Sequence, residues 1–367
     1  MKTNFSVTVK TCATTANLGA AYDTAAIAVE LWNSFHLVIE ADMNGHHQEV
    51  NFKTIDLGSS KYASVDTLMG NPDGNMFVKS FNFSLEHIAS ALGVGVSGSF
   101  SASLHQEVNI PPLRGLGSSS SACIAGSRAA MAFVTHLHPS LKRRNLCNLS
   151  KQESLEFLAT LARNSDSCPD NICACLTGGL TVVYEEEEKN VSTGFRMLRF
   201  SRRDVTDELR FVFVIPSGGI NTLAARDVIR RTKYPLTDIT YNLTRASCLA
   251  TALTDRRYGT LKDLMSDKIH QSYRYGLHRD SNPASKPVLL EKIFEGLISA
   301  GAYGVSISGA GSSVVAIVGA RNANRLATTA GELYEKYSKA SGWGVEDVLI
   351  LKPLNSGVQL EQQPIAK

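Results

Sequence analysis

The stretch that most constrains this chain is residues 111–122, Pro-Pro-Leu-Arg-Gly-Leu-Gly-Ser-Ser-Ser-Ser-Ala, where two glycines and four serines precede an alanine-rich run. Gly115 and Gly117 carry no Cβ, so the backbone can approach a ligand closely. The run that follows favours a helix, with alanines at Ala122, Ala125, Ala129 and Ala130. The first amides of a helix are unpaired donors at the positive end of its dipole, so this stretch predicts a phosphate-binding loop.

The same residues have a plainer interpretation as a loop that caps an ordinary helix, because serine is a preferred N-cap residue. The loop is neither a Walker A sequence nor a dinucleotide fingerprint, since it lacks Gly-Lys-Ser/Thr and the third glycine. For each serine, the local sequence therefore leaves phosphate binding and helix capping open.

Composition argues against nucleic-acid and membrane functions. The net charge is only +3, with 37 basic and 34 acidic residues spread along the chain. The sequence therefore lacks the cluster of basic residues that is typical of nucleic-acid-binding proteins. The longest apolar stretches are interrupted by serine and glycine and are too short to span a bilayer. The seven cysteines are irregularly spaced and the N-terminus lacks an apolar signal sequence, so we expect a reduced, cytoplasmic protein.

Hydrophobic periodicity predicts an α+β fold, with strands dominating the first part of the chain and amphipathic helices the later part. Residues 36–40 and 49–52 are predicted to pair as a hairpin through a turn at Asn44-Gly45. Residues 76–92 are predicted to form a helix. The run Glu185-Glu186-Glu187-Glu188 is predicted to be a solvated turn, and any domain boundary is expected between Tyr184 and Leu209.

Several further motifs accompany the serine-rich loop. In chain order they are Ala13-Thr14-Thr15-Ala16-Asn17-Leu18-Gly19, Cys168-Pro169-Asp170-Asn171, Ala225-Arg226, His270-Gln271-Ser272-Tyr273-Arg274 and Ser308-Gly309-Ala310-Gly311-Ser312-Ser313. Together with the loop, they resemble the GHMP family of small-molecule kinases, whose signature reads Pro-x-x-x-Gly-Leu-Gly-Ser-Ser-Ala. The wording is most similar to the homoserine kinases of fungal type, and the resemblance runs through nearly the whole chain.

The resemblance implies a fold of two domains with the active site in the cleft between them. The first, residues 1–190, would be of the ribosomal-protein-S5-like type and would bind nucleotide. The second, residues 191–367, would be a ferredoxin-like domain. A glycine loop at residues 309–313 is expected to pack against the phosphate loop and close the site.

The resemblance also implies ATP as phosphoryl donor and Mg²⁺ as its companion ion. Contacts to the nucleotide are expected from the loop residues Pro111, Arg114, Gly115, Leu116, Gly117, Ser118, Ser119, Ser120 and Ser121. By position, Asn75 and Lys79 would form the adenine pocket. Ser119 and Asp166 would hold the metal, although most relatives carry Glu at the latter position and a solvated loop Asp is the alternative.

The acceptor site is expected to use residues that match the family's substrate positions, namely Asn17, Asp23, Cys168, Asp170, Asn171, Arg226 and Arg274. An aspartate suits an ammonium group, an asparagine can fix a hydroxyl, and a guanidinium suits a carboxylate or the transferring phosphate. Together these suit homoserine, a small molecule with all three groups. Asn17, Asp23, Asn171 and Arg226 are the residues expected to take part in catalysis.

Two departures from the family pattern leave the acceptor open. Cys168 replaces a histidine, and Ala20-Ala21 replaces a Pro-Gly pair before Tyr22 and Asp23. A different small alcohol, or a catalytically weak nucleotide-binding relative, are therefore alternatives to homoserine phosphorylation. No residue stands out as an obligatory base, and Asp23 is the available carboxylate. The sequence leaves a monomer and a homodimer both open.

Overall fold

The computed structural model describes residues 4–41, 50–58, 62, 71–96, 98–143, 151–165, 168–190 and 194–362. Within them, strands and helices build two sheets with flanking helices, which confirms the α+β class. The strands are β1 (Phe5–Ala16), β2 (Ala25–Ala41), β3 (Val50–Leu57), β4 (Phe100–Glu107), β5 (Leu180–Lys189), β6 (Arg196–Arg203), β7 (Leu209–Pro216), β8 (Gly304–Ile307), β9 (Val314–Gly319), β10 (Val345–Leu351) and β11 (Gln359–Gln362).

The first sheet follows the order β11-β1-β2-β4-β3, and β5 pairs with both β2 and β6. The predicted hairpin between residues 36–40 and 49–52 is wrong, because β4 lies between β2 and β3. β3 runs parallel to β4, and a parallel pair needs a crossover, here supplied by the helix between them. The Asn44-Gly45 turn itself lies outside the described residues.

Four helices form a common core with the first sheet: α1 (Met76–Leu92), α2 (Ser118–Leu137), α3 (Gln152–Asn164) and α4 (Pro169–Thr177). The predicted helix at 76–92 is confirmed in full. The Asn75 side chain caps α1 by accepting from the amides of Phe77 and Val78, and Gly93 ends the helix in the left-handed conformation. Phe77 and Phe81 are buried against the sheet, and each such ring contributes about 1.5–3 kcal/mol.

The second sheet is antiparallel, in the order β10-β7-β9-β8. Its helices are α5 (Thr222–Arg230), α6 (Leu236–Thr254), α7 (Leu261–Leu264), α8 (Gln271–Arg274), α9 (Leu290–Ser299) and α10 (Ala323–Ser338). One face, with Val212 and Val214, packs on α9 and α10. The other face, with Phe211 and Phe213, shares a core with α6 and with Ile27 of β2. This shared core holds the two sheets together.

The sheets do not divide the chain at residue 190. β6 pairs with β5, and β11 returns from the C-terminus to pair with β1, so the first sheet uses chain on both sides of the second. The run Glu185–Glu188 is part of β5 and not a turn, which corrects that prediction. Its glutamates are tolerated because this end of the strand is largely exposed. Among the described residues, none of the helices has the length and apolarity needed to cross a membrane.

Candidate active site

The serine-rich loop opens directly onto α2, as predicted. Gly115 and Gly117 both have left-handed backbones, with φ of 77° and 76°. α2 begins at Ser118, and no side chain caps it at Gly117. Ser118, Ser119 and Ser120 line a cavity of about 380 Å³ beside the start of the helix. The 20-residue helix therefore presents its positive end to an open space of ligand size.

The loop glycines also allow close approach of other parts of the chain. A Cβ at Gly115 would lie 2.0 Å from the carbonyl oxygen of Ser308, which joins β8 to the glycine loop at 309–313. A Cβ at Gly117 would lie 2.1 Å from Thr14 Oγ1 on β1. The sequence suggested a ligand as the reason for these glycines, and the structure adds a second reason in the packing of the loop.

The glycine loop at 309–313 packs against the serine-rich loop, as expected from the resemblance. Ser308 Oγ donates to the carbonyl of Gly115 at 2.7 Å, and the Ser313 amide donates to the carbonyl of Arg114 at 3.2 Å. Gly309, Ala310 and Gly311 line the same cavity as the serines. The two loops therefore form adjoining walls of one site.

Not all of the loop residues expected to contact nucleotide line the cavity. Pro111 does, together with Gly115, Gly117 and the three serines 118–120. Leu116 is buried in the shared core. Ser121 is buried and accepts from Thr11 Oγ1 and Asn33 Nδ2. Arg114 donates to the carbonyls of Pro216 and Ser217 and pairs with Glu346, so it anchors the loop to the end of β7.

Asn75 and Lys79, the residues expected by position to contact adenine, do not line the cavity. Asn75 is buried and its side chain caps α1 and donates to Gln106, while Lys79 is exposed and does not line the cavity. Gly74 and Met76, which flank Asn75, do line it. This stretch contributes to the site through its backbone and an apolar side chain, and Asn75 supports it from behind.

α4 and α5 also contribute residues to the wall of the cavity. Cys168 and Asn171 stand at the start of α4, and Arg226 of α5 lies beside Cys168 and Asp23. Arg226 Nη2 donates to Cys168 Sγ at 3.3 Å and lies 3.5 Å from Asp23 Oδ2. Burial is the main cause that raises the pKa of the Cys168 thiol to about 12, so it remains neutral.

Asp170 lies behind this wall and is completely buried. Its Oδ1 accepts from the backbone amide of Asn171 at 2.7 Å and from Asn171 Nδ2 at 3.3 Å. Its Oδ2 has no partner among the described residues. Burial and the nearby Asp23 carboxylate raise the pKa of Asp170 to about 7.

Asn17 and Arg274 support the glycine loop through the carbonyl of Gly309. Asn17 Nδ2 donates to the carbonyl of Gly309 at 2.7 Å, and its Oδ1 accepts from the amide of Asp23. Arg274 Nη1 donates to the same carbonyl at 2.9 Å. Arg274 is 2% exposed and does not line the cavity, so its described contacts position the loop.

His270 also belongs to this hydrogen-bonded group, although no role was predicted for it from the sequence. Its Nε2 donates to the carbonyl of Gly19 at 2.6 Å, and its Nδ1 accepts from Arg274 Nη1 at 3.2 Å. Burial, which outweighs the Asp267 carboxylate, lowers the pKa of His270 to about 4. The neutral ring therefore ties the Gly19 turn to Arg274.

Thr14 and Thr15 at the end of β1 both hydrogen-bond to elements around the cavity. Thr15 Oγ1 hydrogen-bonds Ser308 Oγ at 3.0 Å. Thr14 Oγ1 donates to Asn171 Oδ1 at 2.6 Å. Thr11, farther back, contacts the first turn of α2 through Ser121. One strand therefore contacts the elements that form the walls of the cavity.

Of the two predicted metal ligands, one lies in the described part of the chain. Ser119 lines the cavity, whereas Asp166 lies outside the described residues. Within the described part, ligand atoms of Asp23, Cys168 and Asp170 lie within 4.8 Å of one another. The Arg226 guanidinium already contacts two of these groups, and its positive charge opposes a metal cation there.

Comparison with known proteins agrees with this geometry. The family signature described as GHMP kinases N terminal domain matches residues 76–179, and the one described as GHMP kinases C terminal matches residues 249–336. A homoserine kinase of Prochlorococcus marinus is 30% identical over 317 residues, covering 85% of this chain and 83% of that protein. A homoserine kinase of Persephonella marina is 27% identical over 341 residues, covering 93% and 95%.

Solved structures show the same architecture. The crystal structure of homoserine kinase from Cytophaga hutchinsonii superposes with a TM-score of 0.69 at 20% identity and covers 97% of both chains. The L. major mevalonate kinase solved with R-mevalonate gives a TM-score of 0.59 at 15% identity. At these identities the likeness concerns the fold.

Proposed function

The chain belongs to the GHMP kinase family of small-molecule kinases, and from this premise we propose that it phosphorylates the side-chain hydroxyl of homoserine with ATP. The product would be O-phosphohomoserine. The observation that carries the proposal is one cavity lined by a phosphate-type helix terminus together with Asn171 and Arg226, with Asp23 beside Arg226. The homoserine kinases similar over most of this chain support the choice of acceptor.

The nucleotide end of the cavity suits ATP in both charge and polarity. The first amides of α2 and the hydroxyls of Ser118 and Ser119 are donors for phosphate oxygens. Met76, Pro112 and Leu113 add an apolar wall that suits adenine. The phosphates would then lie against the helix terminus with the γ-phosphoryl group directed toward α4.

The acceptor end suits an amino acid with a terminal alcohol. Asp23 offers a carboxylate for the ammonium group, and Arg226 offers a fork for the carboxylate or the transferring group. Asn171 can donate from Nδ2 to the hydroxyl oxygen. In the transfer, a bond forms between that oxygen and the γ-phosphorus, and the bond to the β,γ-bridging oxygen breaks with its electron pair going to ADP.

This site can promote the transfer largely through position and charge. Phosphoryl transfer has a loose transition state and needs little covalent work from the protein. The hydroxyl proton can pass to an oxygen of the transferred group, with Asp23 as the alternative acceptor. Arg226 and the α2 amides stabilise the negative charge on the phosphoryl oxygens.

We include Mg²⁺ in the proposal because the donor set fits it. The hydroxyls of Ser118 and Ser119 are hard oxygen ligands of the kind Mg²⁺ takes, and the ion keeps several waters in such sites. Asp166 would add a carboxylate. When bound, the ion would neutralise charge on the phosphates of ATP.

A second acceptor is favoured by one observation, the thiol at Cys168. The thiol lies in the cavity wall and accepts a hydrogen bond from Arg226. A histidine at this position would form stronger hydrogen bonds and could carry a charge. Loss of a polar contact can exclude a substrate more strongly than a small change of volume does. A different small alcohol would then occupy the same site.

The experiment is an ADP-release assay with the purified protein, ATP and Mg²⁺, across homoserine, threonine, serine and mevalonate at millimolar concentration. Turnover highest with homoserine supports the proposal. Turnover with another alcohol alone supports the second acceptor, and ATP binding without turnover of any alcohol contradicts a kinase function. Omitting Mg²⁺ tests the ion.

We also propose a cytoplasmic location. The six cysteines of the described part, Cys12, Cys123, Cys168, Cys173, Cys175 and Cys248, are all free thiols, which a reducing compartment would maintain.

A further inference from the structure

Asn171 is the polar side chain of α4 that lines the cavity between the phosphate loop and Arg226. Both ends of its amide are engaged by the protein. Oδ1 accepts from Thr14 Oγ1 at 2.6 Å, and Nδ2 donates to Asp170 Oδ1 at 3.3 Å. The second hydrogen on Nδ2 has no partner in the part of the chain that the structure describes.

The neighbours determine which way the amide is turned. Asp170 Oδ1 also receives the Asn171 backbone amide at 2.7 Å, so this oxygen acts as an acceptor and must face Nδ2. Turning the amide by 180° would place Asn171 Oδ1 against Asp170 Oδ1, where two acceptor oxygens repel. With that orientation, the Thr14 hydroxyl has to donate to Oδ1. The free Nδ2 hydrogen is then available to an acceptor hydroxyl in the cavity.

Thr14 also contacts the phosphate loop. Its backbone amide donates to the carbonyl of Leu116 at 3.0 Å. Its hydroxyl occupies the space that a Cβ of Gly117 would fill, because such an atom would lie 2.1 Å from Thr14 Oγ1 and 3.2 Å from Asn171 Oδ1. A single buried threonine therefore contacts both the nucleotide end and the acceptor end of the cavity.

We propose that Thr14 is a positioning residue for phosphoryl transfer. Its hydroxyl fixes the orientation of the Asn171 amide beside the serine-rich loop. This inference rests on the function proposed above. Without the hydroxyl, Asn171 Oδ1 loses its buried partner and the amide is free to tilt away from the acceptor. Orientation errors of this kind reduce the rate of the chemical step more than they reduce nucleotide binding.

The test compares Thr14→Val with Thr14→Ser and with the matched control Thr11→Val. Thr11 is also a buried threonine of β1, but its hydroxyl donates to Ser121 and not to Asn171. We expect Thr14→Val to lower kcat about ten-fold, which corresponds to the net free energy of one hydrogen bond, with little change in the KM for ATP. Thr14→Ser should restore most of kcat, and Thr11→Val should lose stability without losing kcat.

A double variant separates positioning from a general loss of stability. Adding Thr14→Val to Asn171→Ala should cause no further fall in kcat, because the group that Thr14 holds is already gone. Additive losses, or a Thr14→Val enzyme with the kcat of the parent, would overturn the inference. If Thr14→Val does not fold, Thr14→Ala replaces it, and equal kcat in the Ala and Ser variants is the overturning result.

The activity of the unmodified protein distinguishes a failure of the proposed function from a failure of the inference about Thr14. A parent that phosphorylates none of the alcohols tested contradicts the proposed function and this inference with it. An active parent whose Thr14 variants behave like Thr11→Val contradicts the inference about Thr14 alone.

Discussion

Replacing Gly117 by alanine should cost more stability than an ordinary glycine substitution, because two penalties meet at this position. Gly117 has φ of 76°, where an L residue is strained by about 1–2 kcal/mol. The new Cβ would also lie 2.1 Å from Thr14 Oγ1. Thr14 would have to turn away and break its hydrogen bond to Asn171.

The second penalty follows from that lost hydrogen bond. Leaving Asn171 Oδ1 buried without a partner costs about 1–3 kcal/mol. Together with the backbone strain, Gly117→Ala should destabilise the protein by about 2–5 kcal/mol. It should also lower turnover, since the amide that faces the acceptor is the group that loses its support.

Gly93→Ala is a matched control for the first penalty alone. Gly93 ends α1 with φ of 66°, and no atom lies within 4 Å of the position its Cβ would take. It should therefore lose about 1–2 kcal/mol from strain, with kcat unchanged. Any gain from a less flexible unfolded chain is shared by both variants and cancels in the comparison.

The assay is urea unfolding followed by circular dichroism, with ATP affinity measured by calorimetry and kcat by ADP release. Gly117→Ala should unfold at lower urea than Gly93→Ala and turn over more slowly. If the two variants unfold at the same urea concentration and both retain the kcat of the parent, the close contact with Thr14 is not a constraint on the site.

Three further outcomes follow from the acceptor end of the cavity. Arg226→Lys should lower kcat/KM about 10–100-fold, because the single ammonium group of lysine cannot contact Cys168, Asp23 and the substrate together. Unchanged kinetics in a folded variant would show that Arg226 has no role in the reaction. Cys168→His should raise kcat/KM for homoserine if homoserine is the native acceptor, whereas a fall measured by steady-state kinetics would favour another alcohol. In the parent, the buried Asp170 keeps its proton up to about pH 7 while the unfolded chain loses it near 3.8, so this group costs stability as pH rises between those values. Urea midpoints at pH 5 and pH 8 should therefore fall more steeply with pH in the parent than in Asp170→Asn, and parallel changes would show that the carboxyl is ionised throughout.

Local patterns in the sequence were enough to predict much of the framework. The helix at 76–92 has its cap at Asn75 and its stop at Gly93, and both signals are adjacent to the residues they control. The serine-rich loop and the start of α2 are likewise local features. The resemblance placed Asn171, Arg226 and Cys168 in one site, and the structure brings them together.

Pairings between distant segments could not be read in this way. The turn signal at Asn44-Gly45 suggested that β2 pairs with β3, but β4 takes that place from farther along the chain. A strand's alternation determines which face is buried and does not specify its partner. For the same reason, the sequence did not predict that β6 and β11 belong to the first sheet.

The sequence by itself determined that this chain has a phosphate-type loop before a helix, an α+β fold and the residue types of a kinase acceptor site. Only the tertiary structure decided which of those residues line the cavity and which support it. Arg114, Asn75 and Ser121 turn inward to anchor the loop and the helices, whereas Thr14 reaches Asn171 from a strand 157 residues away in the chain. The reason is physical: a side chain's chemistry is local to its residue, but its hydrogen-bond partners are fixed by which strands and helices pack together.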